Sequence, residues 1–442
     1  MAQRPPSCSP LEAYCVEPTA LFTLPEQDFL RLIYQNFEDE IGHLKDAYSI
    51  RSSSVNTPST PSPSQILLGS DYDEVNRTMV GVLALRWIHN GQYEAFVGTQ
   101  PAAIKLSYQS FTWIRNLYQE LVEQGGLFAL IVSIVINDLG KQPLLAQDYF
   151  SITGQDISSL NHDLILLKAI RVGLIGCLDR LSCDDKTDVL RGLELGATLN
   201  FGQLAQAENS PASLSRLSNM KGYRRAFDLH FMEQILDVAG ASGHLDWTCA
   251  QKLIQPIFDA YAVGYASCTS IISGQLTPRR GYDHVLTQRA SVLREQGFRE
   301  LNVRAPEDRA LMRLLCMGGV IDLPIAQLYE TAWESLGVAS QLPLLRALNN
   351  DGSMTMPAVQ PTYAPALLSY ALASIEQGEQ AKRQELLTEI FRYLSRVMSL
   401  TGPPDVDLSP VVERSVLWVV KDYVETGLLQ DDPGILRSLE VR

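Results

Sequence analysis

The sequence predicts an all-α protein, and three observations carry that expectation. Apolar residues recur at helical spacing in segment after segment. Alternation of apolar and polar residues bounded by hairpin turns is not found. No internal repeat breaks the pattern into a solenoid. The chain has 442 residues, 46% of them hydrophobic and 19% charged, enough to bury a sizeable core. A single large helical domain over residues 26–442 is the expected organisation.

Residues 1–25 are rich in Pro and Ser and are expected to be poorly ordered. The first clear helix starts at Pro25-Glu26, with Phe29, Leu30, Ile33, Tyr34, Phe37 and Ile41 at helical spacing. Residues 51–66, RSSSVNTPSTPSPSQI, cannot bury a core and read as a flexible Ser/Thr/Pro loop. Helices are expected over Val75–Ile88 and Tyr108–Leu121. Leu127 to Ile136 is apolar apart from Ser133 and runs into Asn137-Asp138-Leu139-Gly140-Lys141. A helix over Leu164–Leu181 follows Asn161-His162-Asp163. Val189–Leu204 is apolar and interrupted by Gly. Residues 207–222 read as a loop, and Arg225–Ala239 as a helix ended by Gly240 and Gly243. Further helices are expected over Leu253–Ile272, Ala310–Val320, Leu367–Ile375, Gln380–Leu400 and Pro410–Thr426, with a Pro/Gly/Asn loop at 349–366.

The net charge of −14 repels nucleic acid and anionic surfaces, so DNA is not an expected partner and RNA would need a local basic patch. Seven Cys lack CxxC spacing and suit buried free thiols in a reducing compartment. The longest apolar run is about half of what a membrane span needs. No secretory signal is visible, so a soluble, cytoplasmic protein is expected. No P-loop, GxGxxG, GxSxG or zinc-finger spacing is present, which sets aside kinase, Rossmann and α/β-hydrolase chemistry.

Three constellations could carry chemistry. Asp138, His162 and Asp163 sit at the ends of two apolar segments, where rigid elements can hold polar groups in place. The same residues also suit a plain helix end, with Gly140 as a left-handed cap and Lys141 against the dipole. His230, Glu233 and Asp237 share one face of their helix, either as a cation-binding face or as its wet side. The third is a series of eight arginines between Arg279 and Arg313, including Arg289, Arg294 and Arg299. These suit phosphate or RNA backbone, or surface ion pairs with the acids among them.

Asn137-Asp138-Leu139-Gly140-Lys141 followed by His162-Asp163 resembles the HD-domain superfamily of helical metalloproteins. The doubled His-Asp is similar to its di-iron oxygenase branch that cleaves inositol. The resemblance implies an HD-like helical core, a divalent metal held by Asp138, His162 and Asp163, and phosphohydrolase or oxygenase activity. Asn137 stands where that family has a metal-binding His. More loosely, the whole chain resembles fungal arginine-containing cyclodipeptide synthases, transferases of secondary-metabolite biosynthesis. That likeness implies an aminoacyl-tRNA substrate, with Glu233 and Asp237 on the substrate guanidinium and Arg289, Arg294 and Arg299 on the tRNA. Asp138, His162, Asp163, Glu233 and Asp237 are thus the candidate catalytic residues. A small molecule is the alternative substrate, and a non-catalytic helical domain that binds a ligand or partner is the third reading.

Overall fold

The computed structural model describes residues 10–48, 58–373, 375–376, 378–399, 409–417 and 419–439. The fold is all-α: helices follow one another along the chain, and the described residues add a two-stranded ribbon. Two compact units can be distinguished within the chain. One comprises Met1–Ala197 and Gly222–Asp259, the other Thr198–Lys221 and Ala260–Arg442. Among the described residues, no single helix is long and apolar enough to cross a membrane.

In the first unit the Leu127–Ile136 helix is buried on every side, which explains its unbroken apolar sequence. The Asp73–His89 helix is also buried nearly all round, with acids in its first turn and Arg86 and His89 in its last. The Arg224–Gly240 helix packs against it at very close range. A Cβ on Gly81 would come 3.0 Å from the Leu236 carbonyl, and one on Gly240 only 2.2 Å from the Arg77 carbonyl. The two glycines let these backbones meet.

The sequence reading needs several corrections. Pro10–Val16 and Pro18–Phe22 are helical, and Leu11, Leu21 and Phe22 are buried, so residues 10–25 are not a loose tail. Residues 1–9 and 51–57 lie outside the described residues. The rest of the expected 51–66 loop ends in a helix, Pro63–Leu68, because Ser62-Pro63-Ser64-Gln65 is a capping box. The segment after His162 stops at Arg171, then turns at Gly173 into a short Gly176–Arg180 helix. Most of the 207–222 loop is a 3₁₀ helix, Pro211–Met220.

In the second unit, Ala358–Thr362 pairs in parallel with Val411–Ser415, register Ala358 to Val411. The sequence reading expected a loop and a helix there. Five consecutive buried residues without alternation leave no period-two signal to read. Helices Pro306–Met317, Leu323–Glu334, Val338–Asn349 and Gln380–Ser399 bury Leu315, Tyr329, Leu344 and Phe391 in this unit's core.

Candidate functional site

The first unit places a cluster of ionisable side chains where three of its helices end or cross. Asp138 follows the Leu127–Ile136 helix, in a tight turn that runs through Leu139–Lys141. Lys141 Nζ lies 2.8 Å from Asp138 Oδ1 and 3.0 Å from Glu74 Oε2. Arg77 donates to Glu74 Oε1 at 2.6 Å. Glu74 and Arg77 come from the first turns of the Asp73–His89 helix. Glu74 is 1% exposed and Asp138 5%. Charges this deep persist only when paired.

Burial alone would raise the Asp138 carboxyl. The Lys141 ammonium, hydrogen bonds to Glu74 and Lys141, and the Arg77 charge instead bring it down to about 2. Burial and the Asp138 charge push Glu74 the other way, against Lys141 and Arg77. Glu74 is therefore the first of the pair to take a proton. Burial lowers the affinity of Lys141 for its proton, but Asp138 and Glu74 more than offset this, so it stays charged.

The Arg224–Gly240 helix supplies His230, Glu233 and Asp237. His230 and Glu233 are buried, so this is not the wet face of the helix. His230 Nδ1 is 3.3 Å from Glu233 Oε2. Glu233 Oε1 is buried with no hydrogen-bond partner. It lines a cavity of about 10 Å³ with Asp138, Asp237 and Arg77, the room of a single water. Burial, then the Asp138 charge, raise the Asp237 carboxyl to about 7. Burial also raises Glu233, against its hydrogen bond from His230.

His162 and Asp163 open the His162–Arg171 helix, which Asn161 caps by accepting from Leu164 N at 2.9 Å. His162 Nε2 is 3.3 Å from Asp163 Oδ1. Burial raises Asp163, and the charges of both His162 and Asp138 act on it. The structure thus gathers Asp138, Asp163, Glu233 and Asp237 into one electrostatic neighbourhood.

It does not make a metal site of them. Among the described residues, no group of three or more His, Cys, Asp or Glu side chains is arranged to hold a metal ion. The donor set gives the reason. The Asp138 carboxylate that would lead a metal shell is spent on an ammonium and on Glu74. His162 turns to Asp163. The expected metal set of Asp138, His162 and Asp163 therefore does not fit the ion.

Several arginines of the second unit are engaged by partners within it. Arg313 is fully buried and donates to the carbonyls of Ala207, Glu208, Asn209 and Leu348. Arg309 Nε is 2.8 Å from Asp283 Oδ1. Arg299 pairs with Asp308 and Glu330, and Arg294 with Glu300 at 3.8 Å. Arg289 lies by the Cys316 thiol, which burial raises and Arg289 lowers. The surface-pair reading fits Arg294 and Arg299 better than a nucleic-acid face does.

Glu74 and Arg77 were missed from sequence. The available signal was a Glu and an Arg three residues apart on a helix otherwise filled by Val75, Met79, Val80 and Val82. Also missed was an open cleft of about 580 Å³ at the Lys141 turn, lined by Tyr48, Lys141, Phe150, Asp156 and Ile165 among others.

The profile of one protein family matches residues 30–436, and its description is Family of unknown function (DUF6829). No curated protein and no solved structure matches the chain.

Proposed function

The chain belongs to that family of unknown function, and we propose that its first unit is a metal-independent ligand-binding domain with a degenerate HD-like core. One observation carries the reading: Lys141 Nζ sits 2.8 Å from Asp138 Oδ1 and 3.0 Å from Glu74 Oε2. In this reading, Lys141 and Arg77 supply the positive charge that a metal supplies in HD proteins. The cluster then serves as a fixed electrostatic frame behind the turn, and the ligand sits in front of it. The cleft of about 580 Å³ is of the size that small molecules occupy.

The tRNA-dependent synthase reading draws less support. Arg294 and Arg299 have acidic partners. Glu233 and Asp237 face a space of about 10 Å³, too small for a substrate guanidinium. A reducing, cytoplasmic setting suits the free thiols of Cys177, Cys249, Cys268 and Cys316.

Metal analysis of the purified full chain tests the proposal. The expected result is no stoichiometric transition metal and no change in melting temperature with a chelator. One metal per chain, released by the chelator with loss of stability, would overturn it.

A further inference from the structure

The cleft at the Lys141 turn joins an aromatic wall to an acidic rim. Phe150 stands on the Pro143–Thr153 helix and is 52% exposed. Ile165 and Tyr48 share the lining. Tyr48 is tied to the turn by its backbone N–H, which donates to the Lys141 carbonyl at 3.3 Å. A ring held half out of water beside such a cleft offers a flat face for another ring.

Asp156 lies in the turn after that helix. Ser158 N–H donates to its Oδ1 at 2.9 Å, which fixes the carboxylate in place. A carboxylate has acceptor capacity for several donors, so capacity remains for a ligand. The other charged residue of the lining is Lys141, whose ammonium is spent on Asp138 and Glu74. The charge left open to a ligand is therefore a negative one, beside an aromatic face.

We propose that this cleft binds a small aromatic amine, with its ring on Phe150 and its ammonium at Asp156. The proposal rests on the reading of the cleft as the binding face of the domain. An anionic ligand would meet Asp156 and find Lys141 already engaged. A purely apolar ligand would leave the Asp156 rim unused.

Three matched probes test it on the full chain: 2-phenylethylamine, 2-phenylethanol and phenylacetate, titrated calorimetrically or by ligand-observed NMR. The amine should bind more tightly than the alcohol, and the acetate more weakly. Asp156→Asn keeps an acceptor for Ser158 and should cost the amine about threefold to fivefold in affinity, the range of an exposed ion pair. It should leave the alcohol unchanged. Phe150→Ala should weaken amine and alcohol alike. Alcohol or acetate binding as tightly as the amine overturns the aromatic-amine assignment and leaves the ligand-binding reading standing. An unaffected Asp156→Asn variant does the same. Binding of none of the three probes overturns the aromatic-amine assignment, whereas the ligand-binding reading falls only to the metal result above.

Discussion

The Lys141 ammonium lies 2.8 Å from Asp138 Oδ1, three residues earlier in the same turn. Its side chain is 13% exposed, and that of Asp138 7%. Lys141 is therefore a buried counter-ion rather than a lysine resting on a helix dipole. Without it, the Asp138 and Glu74 carboxyls lose their shared ammonium.

Lys141→Met should for that reason destabilise the first unit by about 3–5 kcal/mol, the cost of removing one partner of a buried pair. Urea unfolding monitored by circular dichroism measures it. Adding Asp138→Asn should recover part of the loss, since the carboxylate left without its ammonium is then neutral and Glu74 keeps Arg77. A loss below about 1 kcal/mol in the single variant would mean that the ammonium is not the counter-ion.

The pH dependence follows from two opposite shifts. Asp138 is depressed to about 2, so its contribution is present above its unfolded value of 3.8 and fades as pH falls toward 2. Asp237 is raised to about 7, so its contribution is complete below 3.8 and is lost as pH rises through 7. Glu74, Asp163 and Glu233 are shifted upward as well and act in the same direction as Asp237. Stability of the first unit should peak near pH 4 and decline from there to about pH 7. Asp237→Asn should flatten the alkaline limb. Thermal melts from pH 4 to 8 give the test, and an unchanged limb in that variant would remove Asp237 as its source.

Much of this was legible in the chain, and the limits have physical causes. Helical spacing gave the all-α class because most helices here keep an apolar face toward a core. Asp138, Asp163, Glu233 and Asp237 were visible because charged residues interrupt or flank apolar runs. Their neighbourhood with Glu74 and Arg77 was not visible. It depends on how closely the Asp73–His89 and Arg224–Gly240 helices approach, and Gly81 and Gly240 set that distance. Arginine spacing likewise cannot separate a surface pair such as Arg294–Glu300 from the buried Arg313. Both look the same until tertiary packing decides.

Arg313 leads to a prediction for the second unit. Its guanidinium holds four backbone carbonyls, three of them on the consecutive residues Ala207, Glu208 and Asn209. Ala207 has φ of +53°, a conformation that is unfavourable for alanine and must be held by its surroundings. Arg313→Lys should destabilise the unit almost as much as Arg313→Met. A single ammonium cannot span a fork of carbonyls, and the unmatched acceptors each cost about 1–3 kcal/mol. Hydrogen exchange at residues 207–209 should speed up in both variants. Wild-type protection with Lys in place would refute the forked arrangement.

Gly140 supports the last prediction. A Cβ there would stand 1.9 Å from the His162 carbonyl oxygen and 2.7 Å from its carbon. Gly140 is absent from the left-handed glycines, so the cap that the sequence suggested is not its role. It is glycine because the His162 backbone crosses directly over it. Both sides of that crossing are stiff. Lys141 N–H donates to Asp138 O at 3.0 Å and Gln142 N–H to Leu139 O at 3.1 Å, while Asn161 caps the helix that His162 begins. Alanine would have to push that helix away or open the turn that aims Lys141 at Asp138. Gly140→Ala should cost at least the ~1–3 kcal/mol of an overpacked core. For a unit of this size that lowers the melting temperature by several degrees. Gly154 provides the control, with φ of +72° and nothing within 4 Å of its would-be Cβ. Asn tolerates that left-handed conformation, so Gly154→Asn should be mild and Gly140→Asn severe. Equal melting temperatures for the two Asn variants would show that the turn yields freely, and that the Lys141–Asp138 geometry does not depend on the His162 backbone above it.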